Sequence, residues 1–306
     1  MLLTGLIFQN MVLLALVASL FLAGRPTRLW RLLYTASAGA LVFGIVLSGV
    51  WVYPPIWGAA VYLVLFLLAC LRWWRMPVKN PARLRSLQII LAALTAIPGL
   101  ILIWQGVAGR IAPAEEAIEL SSPFAEVAGH CVLSGGSSLA LNLHYVESDK
   151  TAASYEKHSV DFIRLNRFGF RTLADRSLSP KPAALGDYAV YGSKVVAPCD
   201  GVVSEAVDGK PDVAPGHANR SLDGSNYVLL QCKAADVLLA HFQPGTLAVD
   251  VGGEVTRGQP LGLAGNSGNT EEPHLHINAQ RQEGDGTLTA VPMRFDGRYL
   301  ARGDCL

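Results

Sequence analysis

The sequence predicts two separate units of different class, a four-helix transmembrane region followed by a mainly antiparallel β domain. The first observation is the distribution of charge: residues 1–110 contain nine Lys/Arg and no Asp/Glu, whereas residues 111–306 contain 16 Lys/Arg and 24 Asp/Glu. The second is a set of long, uncharged apolar runs, all before residue 110. The third is a change, after residue 130, to short β-branched runs separated by Gly, Pro, Asn and Asp. We therefore expect an α unit and then a β unit in one chain.

The overall composition excludes two classes of protein. Of the 306 residues, 51% are hydrophobic and 16% are charged, and the mean hydropathy is +0.33. Disordered chains are poor in apolar residues and rich in charge, so that class is excluded. The part after residue 110 is acidic, whereas a nucleic-acid-binding domain needs a positive face to meet phosphate. We therefore expect no nucleic-acid partner.

The apolar runs predict four membrane-spanning helices. A spanning helix needs about 20 apolar residues, and the runs Met1–Gly24 and Ser86–Gly109 fit one span each. The run Leu32–Leu71 has twice the required length and contains Tyr53-Pro54-Pro55 at its centre. Proline lacks the N–H group that a helix needs, so a turn is expected there. We predict spans at about 2–23, 32–52, 56–71 and 87–107.

Basic residues between the spans predict the orientation of the chain. They form two groups, one before span two and one between spans three and four, and the Tyr-Pro-Pro turn carries no charge. Short loops rich in Lys and Arg stay on the cytoplasmic side. Both groups then face the cytoplasm, and the β domain lies outside it. The groups are Arg25, Arg28 and Arg31, and Arg72, Arg75, Lys79, Arg83 and Arg85.

The role of the predicted spans has two interpretations. None of the spans contains Asp, Glu or His, and ionisable groups inside the membrane are the usual mark of an ion or proton pathway. A transporter is therefore disfavoured, and we expect the spans to bind the lipid bilayer as an anchor or to bind a membrane-protein partner. A cleaved signal peptide is the alternative for residues 1–24, but no basic residue precedes this run and Arg25 follows it.

The outer part of the chain is predicted to be a linker, residues 111–129, followed by a β-rich domain, residues 130–306. The first stretch of the linker is short and acidic and contains Pro113. Beyond it, many short strands bounded by turn residues are typical of an antiparallel sandwich or sheet. The clearest candidate strands are Lys194–Val196, Gly201–Ser204, Tyr227–Gln231, Asp236–His241 and Pro260–Leu263.

Four of the five cysteines lie in this outer domain, where two disulfides are possible with three connectivities. Cys199 and Cys232 lie near strands that could be neighbours. Cys131 and Cys305 bracket the domain and could join its ends. We favour the pairs Cys199–Cys232 and Cys131–Cys305. No Cys-x-x-Cys spacing is present, so a metal site built from cysteines is the weaker interpretation.

All seven histidines also lie in the outer domain, and two of them form the segment Pro273-His274-Leu275-His276. On a strand, residues i and i+2 point to the same face, so both imidazoles would project into one space. One could bind a divalent metal while the other acts as an acid, a base or a donor to an oxyanion. A His-x-His pair alone remains a weak motif.

A series of six segments gives this pair its context. In order they are 196–203 (VAPCDGVV), 224–228 (GSNYV), 239–241 (LAH), 251–262 (VGGEVTRGQPLG), 265–269 (GNSGN) and 273–276 (PHLH). Over residues 140–280 this series resembles the lysostaphin-type (LytM-like) zinc metalloendopeptidases of peptidoglycan. The resemblance implies a β metallopeptidase domain that holds Zn²⁺ with two histidines and an aspartate. It implies the metal ligands His144, Asp161 and His276 and the non-ligand active-site histidines His241 and His274.

The sequence departs from the commonest pattern of that family, His-x-x-x-Asp. Position 157 is Lys, and His144 lies 17 residues before Asp161, so an intervening loop is required. His158 is nearer, but at three residues from Asp161 its side chain would point to the opposite face of the strand. We therefore favour His144 over His158.

Together with the predicted spans and topology, the resemblance implies a membrane-anchored endopeptidase that hydrolyses peptide cross-links with a metal-activated water, outside the inner membrane of a bacterium. A non-catalytic LytM-like regulator or scaffold of cell-wall enzymes is the first alternative. A biotinyl- or lipoyl-carrier module is the second, but Lys233 lacks the Met-Lys-Met surroundings of a modified lysine. The polar residues Asn266, Ser267 and Asn269 before the site have two interpretations, substrate contact and a polar turn.

Overall fold

The computed structural model describes residues 2–24, 27–78, 86–148, 154–173, 179–219 and 224–306. The chain divides into two compact units, Met1–Ala108 and Gly109–Leu306. Four basic residues of the predicted cytoplasmic loops lie outside the described residues: Arg25, Lys79, Arg83 and Arg85.

The first unit consists of four long helices, as predicted. They are α1 (Leu2–Leu22), α2 (Arg28–Ser48), α3 (Ile56–Arg75) and α4 (Ser86–Ala108). All four are long and apolar enough to cross a membrane. The Thr27 side chain accepts a hydrogen bond from the backbone N–H of Trp30 and so caps the start of α2. The Pro-Pro turn precedes α3, whose first residue is Ile56.

Close packing and one buried arginine hold the helices together. A Cβ atom on Gly99 would lie 2.4 Å from the backbone nitrogen of Leu41, so only glycine allows α4 to approach α2 this closely. Arg31 on α2 is buried and donates to the carbonyls of Trp74 and Met76, at 2.8 and 2.7 Å. The Arg31 guanidinium therefore supplies hydrogen bonds, and a favourable positive charge, to carbonyls at the carboxyl end of α3.

The second unit is built mainly of β-strands. The strands are β1 (Ile118–Leu120), β2 (His130–Ser134), β3 (Val160–Arg164), β4 (Lys194–Val196), β5 (Gly201–Val207), β6 (Tyr227–Cys232), β7 (Asp236–Ala240), β8 (Glu254–Val255), β9 (Pro260–Leu263), β10 (Leu275–Gln282), β11 (Leu288–Val291) and β12 (Met293–Phe295). A short helix, α5 (Leu143–Ser148), and two 3₁₀ turns, Ser154–Glu156 and Leu185–Asp187, complete it. The segment that we interpreted as a linker, 111–129, includes β1, which pairs in parallel with β12.

The main sheet is antiparallel, in the order β2-β3-β10-β7-β6-β5-β8, with β11 also paired to β10. The predicted fold class is therefore confirmed. Alternation along β10 places Leu275 and Ile277 in the core, both fully buried, and turns His276 to the opposite face. Phe162 of β3 and Leu239 of β7 fill the same core.

Both predicted disulfides are present, Cys131–Cys305 and Cys199–Cys232. Cys131 and Cys305 also form an isolated antiparallel bridge, which joins β2 to the last residues of the chain. Cys232 is the last residue of β6. It lies opposite Gly201, which follows Cys199 by two residues. The expectation that these cysteines lie on neighbouring segments is confirmed.

Candidate metal centre

Strand pairing brings the first two predicted ligands together. Asp161 on β3 lies directly opposite His276 on β10 in the antiparallel register, and directly opposed residues point to the same face of a sheet. The distance between Asp161 Oδ1 and His276 Nδ1 is 3.0 Å. Both side chains are almost completely enclosed by protein. This pair forms the base of the candidate site.

His144 reaches the same place from α5 rather than from a strand. The backbone N–H of His144 donates to Asn142 Oδ1, and the Asn142 amide nitrogen donates to the carbonyls of Lys157 and Ser159. Asn142 therefore fixes the start of α5 against the segment that leads into β3. As a result, His144 Nε2 lies 3.0 Å from the second oxygen of Asp161, Oδ2.

The resulting cluster fits a zinc ion by its donor set. The potential ligand atoms of His144, Asp161 and His276 all lie within 4.8 Å of one another, and this is the one such group of His, Cys, Asp and Glu within the described residues. Two imidazole nitrogens and a carboxylate oxygen are the ligands of many catalytic zinc sites. His158, the alternative to His144, does not belong to the group. It is buried elsewhere, and its Nδ1 has no hydrogen-bond partner among the described residues.

The charges of the cluster keep its carboxylate ionised. Burial opposes the charged form of Asp161, but the charge of His144 and the hydrogen bonds from His144 and His276 outweigh it and hold the pKa of the carboxyl well below its usual value. Burial also opposes the charged form of His144, yet Asp161 and Glu156 raise its pKa to about 10. The site therefore has a strong preference for a positive charge next to Asp161, which a divalent cation satisfies.

Glu156 is a further carboxylate that sequence reasoning missed. Its Oε2 atom lies 3.7 Å from Nδ1 of His144, on the side of the ring opposite Asp161. A carboxylate in that position orients a ligating imidazole and makes it more basic. No motif marks Glu156, because its place depends on the 3₁₀ turn Ser154–Glu156, which a pattern of apolar residues does not predict.

His241 and His274 lie beside the cluster, with their ring centroids 4.7 Å apart. Each directs Nδ1 to a backbone carbonyl, that of Ser267 at 2.7 Å for His241 and that of Glu272 at 2.8 Å for His274. A carbonyl only accepts, so both Nδ1 atoms carry the proton, and Nε2 of each neutral ring has a free lone pair. Burial and the neighbouring histidines lower the pKa of both rings, which favours this neutral state.

A buried ion pair supports the loop that carries His274. Arg171 donates to both carboxylate oxygens of Glu272, at 2.7 and 2.9 Å, and its side chain is 3% exposed. Nη2, which donates to Glu272 Oε1, also donates through its other N–H to the carbonyl of Pro180. Glu272 in turn offers the backbone carbonyl that binds His274. This pair was not predicted, since its partners are 101 residues apart.

The structure distinguishes the polar residues of the glycine-rich loop. Asn266 and Ser267 are fully buried, and both hydrogen-bond to protein groups. Asn269 is exposed. For Asn266 and Ser267 the structure favours the polar-turn interpretation over substrate contact.

The chain matches a known peptidase family over one third of its length. The sequence profile of peptidase family M23 matches residues 186–287. This segment contains His241, His274 and His276. It begins after His144 and Asp161 and therefore does not include them. The predicted resemblance to a LytM-type peptidase is thereby confirmed, and it supports a metallopeptidase in general. No curated protein matches the chain.

Several solved structures are similar to parts of the chain. One is lysostaphin in solution, with 20% identity, TM-score 0.26 and coverage of 43% of this chain and 39% of that one. A zinc-containing peptidase from Vibrio cholerae has 16% identity, TM-score 0.31 and coverage of 63% and 41%. The SpoIIQ–SpoIIIAH pore-forming complex has 12% identity, TM-score 0.33 and coverage of 57% and 89%. The chain spans about two fifths of the length of the first two. Because all three TM-scores are below 0.5, we base the assignment on the family match and the site geometry.

Proposed function

We propose that this protein is a membrane-anchored zinc endopeptidase that hydrolyses peptide cross-links of bacterial peptidoglycan. The observation that carries the proposal is the convergence of His144, Asp161 and His276, with His241 and His274 beside them. The match to peptidase family M23 supports the reaction class.

In this proposal His144, Asp161 and His276 would hold the cation through two imidazole nitrogens and a carboxylate. When bound, zinc lowers the pKa of a water molecule and polarises a peptide carbonyl. Asp161 offsets part of the cation's charge, and Glu156 holds the His144 ring through its other nitrogen.

The two remaining histidines perform the proton chemistry. Nε2 of His274 lies 3.6 Å from Asp161 Oδ1, so this ring borders the ligand cluster directly. His241 stands beside it with its own Nε2 unprotonated. One of the two would accept the proton of the attacking water at its free Nε2; the resulting N–H would donate a hydrogen bond to the oxygen on which negative charge develops and then pass its proton to the nitrogen of the leaving group.

The membrane helices give the enzyme its location. By the distribution of basic residues, the β domain lies on the outer face of the bacterial inner membrane, next to the cell wall. Its partners are then the peptide substrate and the lipid bilayer, and the four spans offer a surface for a membrane-protein partner.

Digestion of purified muropeptides by the full-length protein in detergent tests the proposal. We expect new amino termini when Zn²⁺ is present, none after chelation, and recovery when Zn²⁺ is added back. The His241→Ala variant serves as the matched control, since it keeps all three ligands. A wild-type protein that binds one zinc but releases no product would instead indicate a regulator or scaffold.

A further inference from the structure

His241 has a backbone conformation that L-residues seldom adopt. Its φ is 72°, and among the described residues only Asp296 is another non-glycine residue with a positive φ. Ala240 lies opposite His276, so a β7 strand that simply continued would point the next side chain to the other face of the sheet, away from His276. The left-handed turn at His241 instead directs the ring towards His274 and His276. Such a conformation is unfavourable for an L-residue and persists only where the surroundings enforce it.

Asn226, immediately before β6, forms most of the hydrogen bonds that hold His241 in this conformation. Its backbone carbonyl accepts the N–H groups of both His241 and Phe242, at 2.9 and 3.2 Å. Its side-chain amide donates to the carbonyl of Phe242 at 2.9 Å and to that of Lys210 at 2.8 Å. Asn226 is completely buried. Asn226 thus hydrogen-bonds to the N–H of His241 and to both the N–H and the carbonyl of Phe242.

Ser267 completes the network from the opposite loop. Its hydroxyl accepts the N–H of Asn226 and donates to the carbonyl of Phe242, both at 2.9 Å. Its backbone carbonyl accepts Nδ1–H of His241 at 2.7 Å. The hydroxyl therefore fixes the backbone around His241, and the carbonyl of the same residue fixes the tautomer of the ring.

The close approach of the two loops depends on a glycine. The N–H of Gly265 donates to the carbonyl of His241 at 2.8 Å. A Cβ atom at this position would lie 2.5 Å from the backbone nitrogen of Gln243, which no side chain tolerates. The contacts of Ser267 with His241 follow from this approach.

We propose that Asn226 and Ser267 are positioning residues that hold His241 in its left-handed conformation and in the Nδ1–H tautomer, with Nε2 directed at the reaction centre. The catalytic role of His241 in this inference rests on the proposed function. The conformation and hydrogen bonds of His241 are observed independently of that function. Neither side chain contacts His144, Asp161 or His276, so the network acts on the proton chemistry and not on metal binding.

The variants Ser267→Thr and Ser267→Val test this role as a matched pair. Both add the same bulk at a buried position, but only threonine keeps the hydroxyl. We expect Ser267→Val to lower kcat by about 100-fold, the loss that a misplacement of about 1 Å produces, with little change in KM. The kcat of Ser267→Thr should stay within about threefold of the wild-type value. Zinc content should remain at one per chain in both.

A spectroscopic measurement separates this inference from the proposed function. In the full chain in detergent, imidazole ¹⁵N shifts assigned with His241→Gln report the tautomer of His241 with or without catalytic activity. We expect a single Nδ1–H tautomer in the wild type and in Ser267→Thr. We expect a tautomer mixture in Ser267→Val, because loss of the hydroxyl bonds to Asn226 and Phe242 lets the backbone carbonyl of residue 267 move away from Nδ1 of His241. An unchanged tautomer in Ser267→Val, or equal kcat values in the two variants, would overturn the inference.

The variant Asn226→Asp covers the case in which Ser267→Val does not fold. It has nearly the same shape as the wild type but turns an oxygen towards the carbonyls of Phe242 and Lys210, so both donated hydrogen bonds are lost. The tautomer mixture and the isolated loss of kcat are expected here too. Wild-type spectra and wild-type kcat in this variant would contradict the proposal.

Discussion

Oδ1 of Asp161 lies 3.0 Å from Nδ1 of His276, although 115 residues separate the two in the chain. The contact follows from the antiparallel register of β3 and β10, in which the two residues are directly opposed. A shift of one residue in that register would turn one of them into the core. The packing that holds Phe162 and Ile277 in the core therefore also assembles the candidate metal centre.

Replacement of His276 by alanine should remove the metal. The variant loses a ligand nitrogen at the most enclosed position of the cluster. We expect zinc content, measured by atomic emission on the purified full chain, to fall from about one per chain to near zero. The exposed His217→Ala variant is the control and should keep its zinc. One zinc per chain in His276→Ala would reject the ligand assignment.

The sequence was sufficient to predict the parts of the site that lie on regular strands. His274 and His276 were recognised because alternation on a strand would place them on one face. In the structure β10 begins at Leu275, and His276 pairs with Asp161 of β3 and Ala240 of β7. Phe162, Leu275 and Ile277 follow the same alternation into the core. Period-two patterning predicts which face of a strand each residue occupies.

The parts that the sequence did not predict depend on turns and side-chain hydrogen bonds. His144 was named as a ligand, but its position on a short helix whose start is fixed by Asn142 was not predicted, and neither was Glu156 on its 3₁₀ turn. The network of Asn226 and Ser267 joins residues 41 positions apart through one hydroxyl. Such contacts leave no periodic signal, because a single polar side chain in a loop has many possible partners.

Replacement of Glu156 by glutamine should weaken zinc binding without abolishing it. The change removes the negative charge 3.7 Å from Nδ1 of His144 but keeps the size of the side chain. Loss of such a partner typically costs 10- to 100-fold in metal affinity, and we expect a decrease in that range by competition with a fluorescent chelator. Glu126→Gln, at an exposed carboxylate paired with Arg164, is the matched control. Equal affinities of the two variants would exclude the proposed role of Glu156.

Arg171→Ala should destabilise the outer domain far more than Arg164→Ala. The first substitution leaves the carboxylate of Glu272 without its partner in a pair whose side chains are 3% and 15% exposed. The second breaks a pair with 34% and 74% exposure. Loss of one partner of a buried pair costs about 3–5 kcal/mol, and loss of an exposed one costs about 1 kcal/mol or less. Hydrogen exchange of the β6 amides measures both, and similar losses would contradict the expectation.

The outer domain should lose stability in mild acid, in part through His130. Burial and the nearby Arg164 lower the pKa of His130 to about 4, from an unfolded value of about 6.5. The unfolded state then binds more protons between these values, so stability is complete above pH 6.5 and falls as the pH falls towards 4. The contribution lost between pH 7 and pH 5 is about 2 kcal/mol.

The variant His130→Gln tests this, because glutamine stays neutral throughout. We expect the decrease in β6 exchange protection between pH 7 and pH 5, after correction for intrinsic exchange, to be smaller than in the wild type by about 2 kcal/mol. Ser193, whose hydroxyl lies 3.2 Å from His130 Nε2, offers the control Ser193→Ala, which leaves the titration in place. A wild-type pH profile in His130→Gln would show that this histidine does not contribute.

A phosphatase reporter fused after residue 306 should be active only outside the cytoplasm. Arg28 and Arg31 begin α2, and Arg72 and Arg75 end α3, so the described basic residues cluster at one end of the two helices. Basic loops stay cytoplasmic, and the span α4 then delivers the β domain to the other side. The same reporter fused after residue 78 should be inactive, because it would remain with the basic loop. An active second fusion and an inactive first fusion would show the opposite topology, in which the β domain lies in the cytoplasm and has no access to the cell wall.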